Sequence, residues 1–151
     1  MSEIKFFHPI EVRYGDLDPQ GHLNNAKFLT FFEQARVQYF IHLGMFTGDQ
    51  SFKDLSEILA EVRVTFLAPV QFDMPIKVGA RVSKLGNKSM MMEQNIINTE
   101  TEDVLATAEI IMVAYDYHAE KTIRIPDEWR KTIREFEGLS YRIALKDSPK
   151  G

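Results

Sequence analysis

The most constraining feature of this chain is a single helical period in a sequence that otherwise reads as strands. Over residues 25–44, Phe28, Phe32, Ala35, Tyr39 and Leu43 recur at intervals of three or four, with Leu29, Arg36 and Phe40 beside them. That spacing puts side chains on one face of a helix. Asn24 or Asn25 supplies the N-cap, because an Asn side-chain oxygen accepts from first-turn amides, and Gly44 supplies a residue that tolerates a left-handed turn. The apolar face is broad, so the helix is expected to be covered on more than one side. The remaining strong patterns have a period of two. Ile10, Val12 and Tyr14 alternate with polar residues, as do Val62, Val64 and Phe66, and Ile76, Val78, Ala80 and Val82. Strands are predicted again over 90–98 and 104–115. Gly86-Asn87 reads as a two-residue hairpin turn in which the glycine supplies a positive φ, and Pro126-Asp127 opens a short last helix through Phe136. Short links between strands demand antiparallel pairing. The class is therefore α+β, with a sheet that either wraps the helix or takes it on one face.

Composition bounds what such a chain does. Its 151 residues make one average domain, expected over 1–145 with a polar tail at 146–151. Eighteen Lys and Arg against 22 Asp and Glu leave a net charge of −4, which argues against a nucleic-acid or anionic-membrane partner. Zero cysteines exclude disulfides, thiolate metal sites and cysteine nucleophiles. Glu3, Lys5 and His8 interrupt the start, so no export signal is predicted. No run approaches the length of a membrane span, and the expected location is the cytoplasm.

The chemistry concentrates in the loop before the helix, Tyr14-Gly15-Asp16-Leu17-Asp18-Pro19-Gln20-Gly21-His22-Leu23-Asn24-Asn25. Three readings compete. One is an Asx-rich turn that Pro19 and Gly21 shape and Asn24 ends as a cap. A calcium loop fails, because counting from Asp16 puts Lys27 where a bidentate Glu belongs. The third is an acyl-transfer site. A carboxylate such as Asp18 attacks a carbonyl or deprotonates water, while the amides at a helix N-terminus, where Asn25 stands, receive the developing oxyanion. A thiolate leaving group has a conjugate pKa near ~8.5 and needs no strong general acid, so a sparse site is enough for a thioester.

The string Asp16-Leu17-Asp18-x-x-Gly21-His22-Leu23-Asn24-Asn25-x-x-Phe28, followed by Phe32-Glu33-x-Ala35-Arg36, resembles the hotdog-fold acyl-thioester hydrolases of the 4-hydroxybenzoyl-CoA thioesterase type. Plant acyl-carrier-protein thioesterases carry a similar string. The resemblance implies a curved antiparallel sheet wrapped around one long central helix, with protomers joined edge to edge as a homodimer or homotetramer. It implies Asp18 as the catalytic carboxylate, Asn25 at the carbonyl-polarising amide and His22 as the counterpart of the plant catalytic histidine. Gln20 stands where the plant pattern has Asn. The expected activity is hydrolysis of an acyl-CoA or acyl-carrier-protein thioester to a carboxylic acid and a thiol. Coenzyme A then enters as part of the substrate, with no separate cofactor and no metal. The alternatives are a hotdog hydratase or dehydratase and a non-catalytic acyl-thioester-binding domain.

Asn24 is expected beside the substrate, and Lys84 and Lys88, flanking the Gly86 turn, are expected to meet coenzyme A phosphates. Glu33 and Arg36, three apart on the helix, are expected to form a partly buried structural ion pair. Met90, Met91 and Met92 read as adaptable packing split between two faces of a strand. His8, His42 and His118 have no metal-ligand spacing.

Overall fold

A computed structural model describes residues 3–139, so the expected tail at 146–151 lies outside the described residues. The elements run β1 (Phe6–Ile10), α1 (Asn25–His42), β2 (Glu57–Phe66), β3 (Ile76–Leu85), β4 (Ser89–Asn98), β5 (Val104–Asp116), β6 (Lys121–Thr122) and α2 (Asp127–Glu137). Short 3-10 turns sit at Tyr14–Asp16 and Phe52–Asp54. The strands form one antiparallel sheet in the order β1-β3-β4-β5-β2, with β6 paired to β5. The curled sheet holds the long helix in its concave face, the hotdog architecture implied by the resemblance.

Alternation in the strands becomes burial. Met90 and Met92 are buried while Met91 faces the other side, next to Ile111 and Arg63, as the period-two pattern of the methionine run requires. From α1, Phe28, Phe31, Phe32, Ala35, Tyr39 and Phe40 enter the core. Each fully buried ring removes enough apolar surface from water to contribute about 1.5–3 kcal/mol. α1 packs chiefly on β3, β1 and β4. Among the described residues only one side of it is covered, contrary to the expectation: Ala26, Leu29, Thr30, Glu33 and Gln34 are exposed. α2 packs against β3 and the C-terminal half of α1. Trp129 stacks on Phe40, and the Tyr39 hydroxyl donates to Glu137 at 2.6 Å.

Two local expectations give way. The first strand ends at Ile10, not Tyr14, because Asp16 accepts from the Arg13 amide while its own amide donates to the Arg13 carbonyl. That pair of bonds folds the chain into a 3-10 turn and leaves Tyr14 84% exposed. The β3–β4 turn closes with the Gly86 amide donating to the Ser89 carbonyl at 2.8 Å, so Asn87 and Lys88 occupy its centre. Gly86 has no positive φ there. A glycine is demanded instead at Gly79, where a Cβ would stand 2.5 Å from Asn95 Oδ1 and 2.8 Å from the Phe7 ring.

Candidate active site

The β1–α1 loop treats its two aspartates differently. Asp16 is fully buried. Its Oδ2 accepts from the Arg13 backbone amide at 2.9 Å and from Arg13 Nε at 3.3 Å, and its Oδ1 meets Arg13 Nη2 at 3.2 Å and Lys27 Nζ at 3.6 Å. Burial acts to raise this carboxyl, but hydrogen bonds from Arg13 and the charges of Arg13 and Lys27 outweigh it and hold Asp16 below the usual carboxylate range. The Asp16 carbonyl also accepts from the Asn24 amide at 2.9 Å, which ties the loop to the start of α1. Asp16 therefore shapes the loop.

Asp18 is half-buried and carries a different set of bonds. Its Oδ1 accepts from the Gln20 amide at 2.9 Å and the His22 amide at 3.1 Å. Its backbone amide donates to the His22 carbonyl at 2.8 Å, and its carbonyl accepts from Gly21, which sits at φ +80°. Leu17 bridges to Leu23 and His22 to Gln71 across this narrow turn. One carboxylate oxygen is thus fixed by two amides. The other, Oδ2, accepts from no donor among the described residues, so the Asx turn and a reactive carboxylate are compatible descriptions of the same residue.

Asn24 is the cap of α1, its Oδ1 accepting from the Ala26 amide at 2.9 Å, so that side chain is engaged by the helix. Asn25 is the first helical residue. Its backbone amide has no acceptor among the described residues, and it points from the positive end of an 18-residue helix. Asp18, His22, Asn24 and Asn25 therefore share one corner of the molecule. Lys84 and Lys88 do not join them. The corner lies at the Ile76 end of β3, whose pairing with Ile10 feeds the loop, and the lysines stand at the Leu85 end. At ~3.3 Å per strand residue the separation is roughly 30 Å. The lysine hairpin is fastened to α2 by Arg130, whose Nη1 donates to the Gly86 carbonyl at 3.0 Å, and Lys88 Nζ approaches Thr122 Oγ1 at 3.4 Å.

The expected Glu33–Arg36 ion pair is not closed among the described residues. Arg36 is buried, and its Nη1 donates to Gln94 Oε1 at 3.3 Å, while Gln94 Nε2 donates to the Phe32 carbonyl at 2.9 Å. Burial lowers the pKa of Arg36 against the pull of Glu57 and Glu33. Neither Gln94, on β4, which bonds Arg36, nor Glu57, at the first position of β2, which stands close enough for its charge to act on Arg36, has a sequence neighbour that signals this. Their approach to Arg36 depends on where the helix docks. No group of three or more His, Asp or Glu side chains among the described residues is placed to hold a metal ion. No helix among them is long and apolar enough to cross a membrane.

The curled antiparallel sheet around one long helix is the hotdog fold, and the proteins similar to this chain place it among the thioester hydrolases. Residues 12–133 match the thioesterase-like superfamily, and the chain belongs to that family. It is 23% identical over 137 residues to the acyl-CoA thioester hydrolase YbgC of Escherichia coli, covering 91% of this chain and 99% of that one. It is 24% identical over 126 residues to the long-chain acyl-CoA thioesterase FadM of Escherichia coli, covering 83% and 95%. A thioesterase from Thermus thermophilus, crystallised with coenzyme A and zinc, superposes with a TM-score of 0.77 at 28% identity, covering 89% of this chain and 95% of that one.

Proposed function

We propose that the protein hydrolyses acyl-CoA thioesters with Asp18 as the reacting carboxylate and the Asn25 amide as the oxyanion donor. The observation that carries this reading is the pairing of a half-tethered Asp18 carboxylate, its Oδ2 open, with an unpartnered amide at the start of α1. The relatives' acyl-CoA substrates support the choice of thiol. As a base, Asp18 takes a proton from water as the water oxygen bonds the carbonyl carbon. The tetrahedral oxyanion then collapses, the carbon–sulfur bond breaks, and the thiolate leaves with the bonding pair and takes up a proton. As a nucleophile, Asp18 Oδ2 displaces the thiolate directly and water hydrolyses the resulting anhydride. A single turnover in heavy-oxygen water separates the two, since only the second route puts label into Asp18.

In this reading His22 orients the substrate or its water beside Asp18, and Asn24 holds the helix start in place. Lys84 and Lys88 reach coenzyme A phosphates only across a subunit boundary, given their distance from Asp18 in the same chain. A homodimer supplies that boundary. Among the described residues β2 lies at the sheet edge, and Phe66 and Leu67 at its far end are 48% and 56% exposed, the kind of edge that a second copy covers. The same reading puts the work in the cytoplasm. The test is a panel of acyl-CoA and acyl-carrier-protein thioesters with a thiol reagent, run on the native protein and on Asp18→Asn. Hydrolysis of acyl-CoAs that collapses in the variant is the expected result. No turnover of any acyl-CoA, or full activity in the variant, overturns it.

A further inference from the structure

A cavity of about 420 Å³ opens between α1 and the start of β2, within the size range of small-molecule sites. Its charged wall is Glu33 and Arg36 from α1 and Glu57 from β2, and its aromatic wall is Phe52 and Tyr117. The cavity exists because α1 leans toward β3 and β1 and leaves the β2 side of the concave face unfilled. It is held open by its own bonds. The Tyr117 hydroxyl donates to the Glu57 carbonyl at 2.8 Å, and His118 Nε2 meets Asp54 Oδ1 at 3.3 Å, which links the turn carrying Phe52 to the turn carrying Tyr117.

One stripe of α1 leads from the catalytic corner to the cavity, whose wall it enters at Glu33 and Val37. Asn25, Leu29, Glu33 and Val37 follow one another at four-residue spacing and so share a face. Leu29 is 43% exposed along that stripe. At ~1.5 Å per residue, Glu33 lies about 12 Å along the axis from Asn25. A medium-length acyl chain whose carbonyl meets the Asn25 amide therefore passes Leu29 and ends among Glu33, Arg36 and Glu57. The charge at that end is unbalanced. Two carboxylates face one guanidinium, and the guanidinium's hydrogen bond goes to Gln94. Burial raises the Glu57 carboxyl; the Arg36 charge opposes it in part, and Glu33 adds a smaller push upward. The wall holds two acids to one base, so a cation entering it is attracted by Glu33 and favours the ionised form of Glu57.

We infer that this cavity receives the far end of the acyl group and that Glu33 and Glu57 select acyl chains ending in an ammonium group over those ending in a carboxylate. This rests on the thioesterase reading and names its substrate class. Glu33 and Glu57 are specificity-determining residues, remote from the reacting carbonyl, so their effect falls on KM more than on kcat.

The experiment compares octanoyl-CoA with its ω-amino and ω-carboxy counterparts on the native protein, Glu57→Gln and Glu33→Gln. Because Glu33 is exposed, its variant keeps the question open to test if the Glu57 variant fails to fold. The native protein is expected to favour the ω-amino over the ω-carboxy substrate by about tenfold or more in kcat/KM. Each variant is expected to narrow that ratio, chiefly through KM. Hydrolysis of octanoyl-CoA with no preference between the charged ends, or with the ω-carboxy substrate preferred, overturns the inference and leaves the thioesterase reading intact. A native ratio that neither variant moves also overturns it, since the selection then comes from elsewhere. Hydrolysis of none of the three overturns both.

Discussion

The β1–α1 loop divides at Leu17 into two regions that use the same residue type in opposite ways. On one side, Asp16 has its two oxygens satisfied by Arg13 and Lys27 and is sealed from solvent. On the other, Asp18 has one oxygen tethered by the amides of Gln20 and His22 and the other free of donors among the described residues. The difference teaches which carboxylate can react. A carboxylate whose lone pairs are all engaged by cations is a weak base and a poor nucleophile, whereas one held by a single edge is both positioned and available. Asp16 builds the frame that lets Asp18 be only half-held.

Separating the two roles by mutation gives the largest expected effect. Asp18→Asn keeps an acceptor for the two amides and removes the reacting charge. It is expected to lower kcat/KM on acyl-CoAs by about a hundredfold or more, with a urea midpoint close to native. Asp16→Asn should do the reverse. It strips charge from a buried, fully bonded site and should cost about 1–3 kcal/mol in urea unfolding, while activity measured well below the unfolding temperature is retained. If the two substitutions exchange these outcomes, the division of labour at Leu17 is wrong.

The contrast also has a pH signature. The folded state holds the Asp16 carboxyl below its ordinary value, so at low pH the unfolded chain takes up that proton first. The contribution of Asp16 is therefore complete above the unfolded carboxylate pKa near ~3.9 and is lost as pH falls through the lower folded value. The stability gap between native protein and Asp16→Asn should be widest near neutrality and close below about pH 4, as read by urea unfolding across a pH series. A gap that grows on acidification would break the assignment. The smallest effect belongs to the cap that joins the two regions to α1. Asn24→Ala removes an acceptor from the Ala26 amide and should cost about 1 kcal/mol, with a further drop in activity only if the Asn25 amide shifts with the frayed helix start.

Much of this corner is legible in the residues themselves. Asn24 as cap, the helix start at Asn25 and the Asp18 turn each depend on residues within a few positions of one another, and local bonds formed them as the residue types suggested. The order of elements was legible for the same reason, since the period-two stretches at Ile76–Leu85 and Ser89–Asn98 needed only a tight turn between them. The misreadings were also physical. Val12 and Tyr14 alternate as a strand would, but the Asp16 carboxylate captures the Arg13 amide and bends the chain away from β3. Glu33 and Arg36 have helical pair spacing, but Gln94 reaches Arg36 from across the sheet.

The sequence by itself determined the class of fold, the carboxylate turn and the helix end that it faces, because capping, turn chemistry and periodicity act over a handful of residues. Only the tertiary structure decided that Lys84 and Lys88 stand a strand length from Asp18, that the β2 side of α1 is left open, and that Glu57 and Arg36 line one cavity there. Those outcomes follow from strand register and from where the helix seats on the sheet. Both are set by the summed packing of many distant side chains, and no short stretch of residues carries that sum.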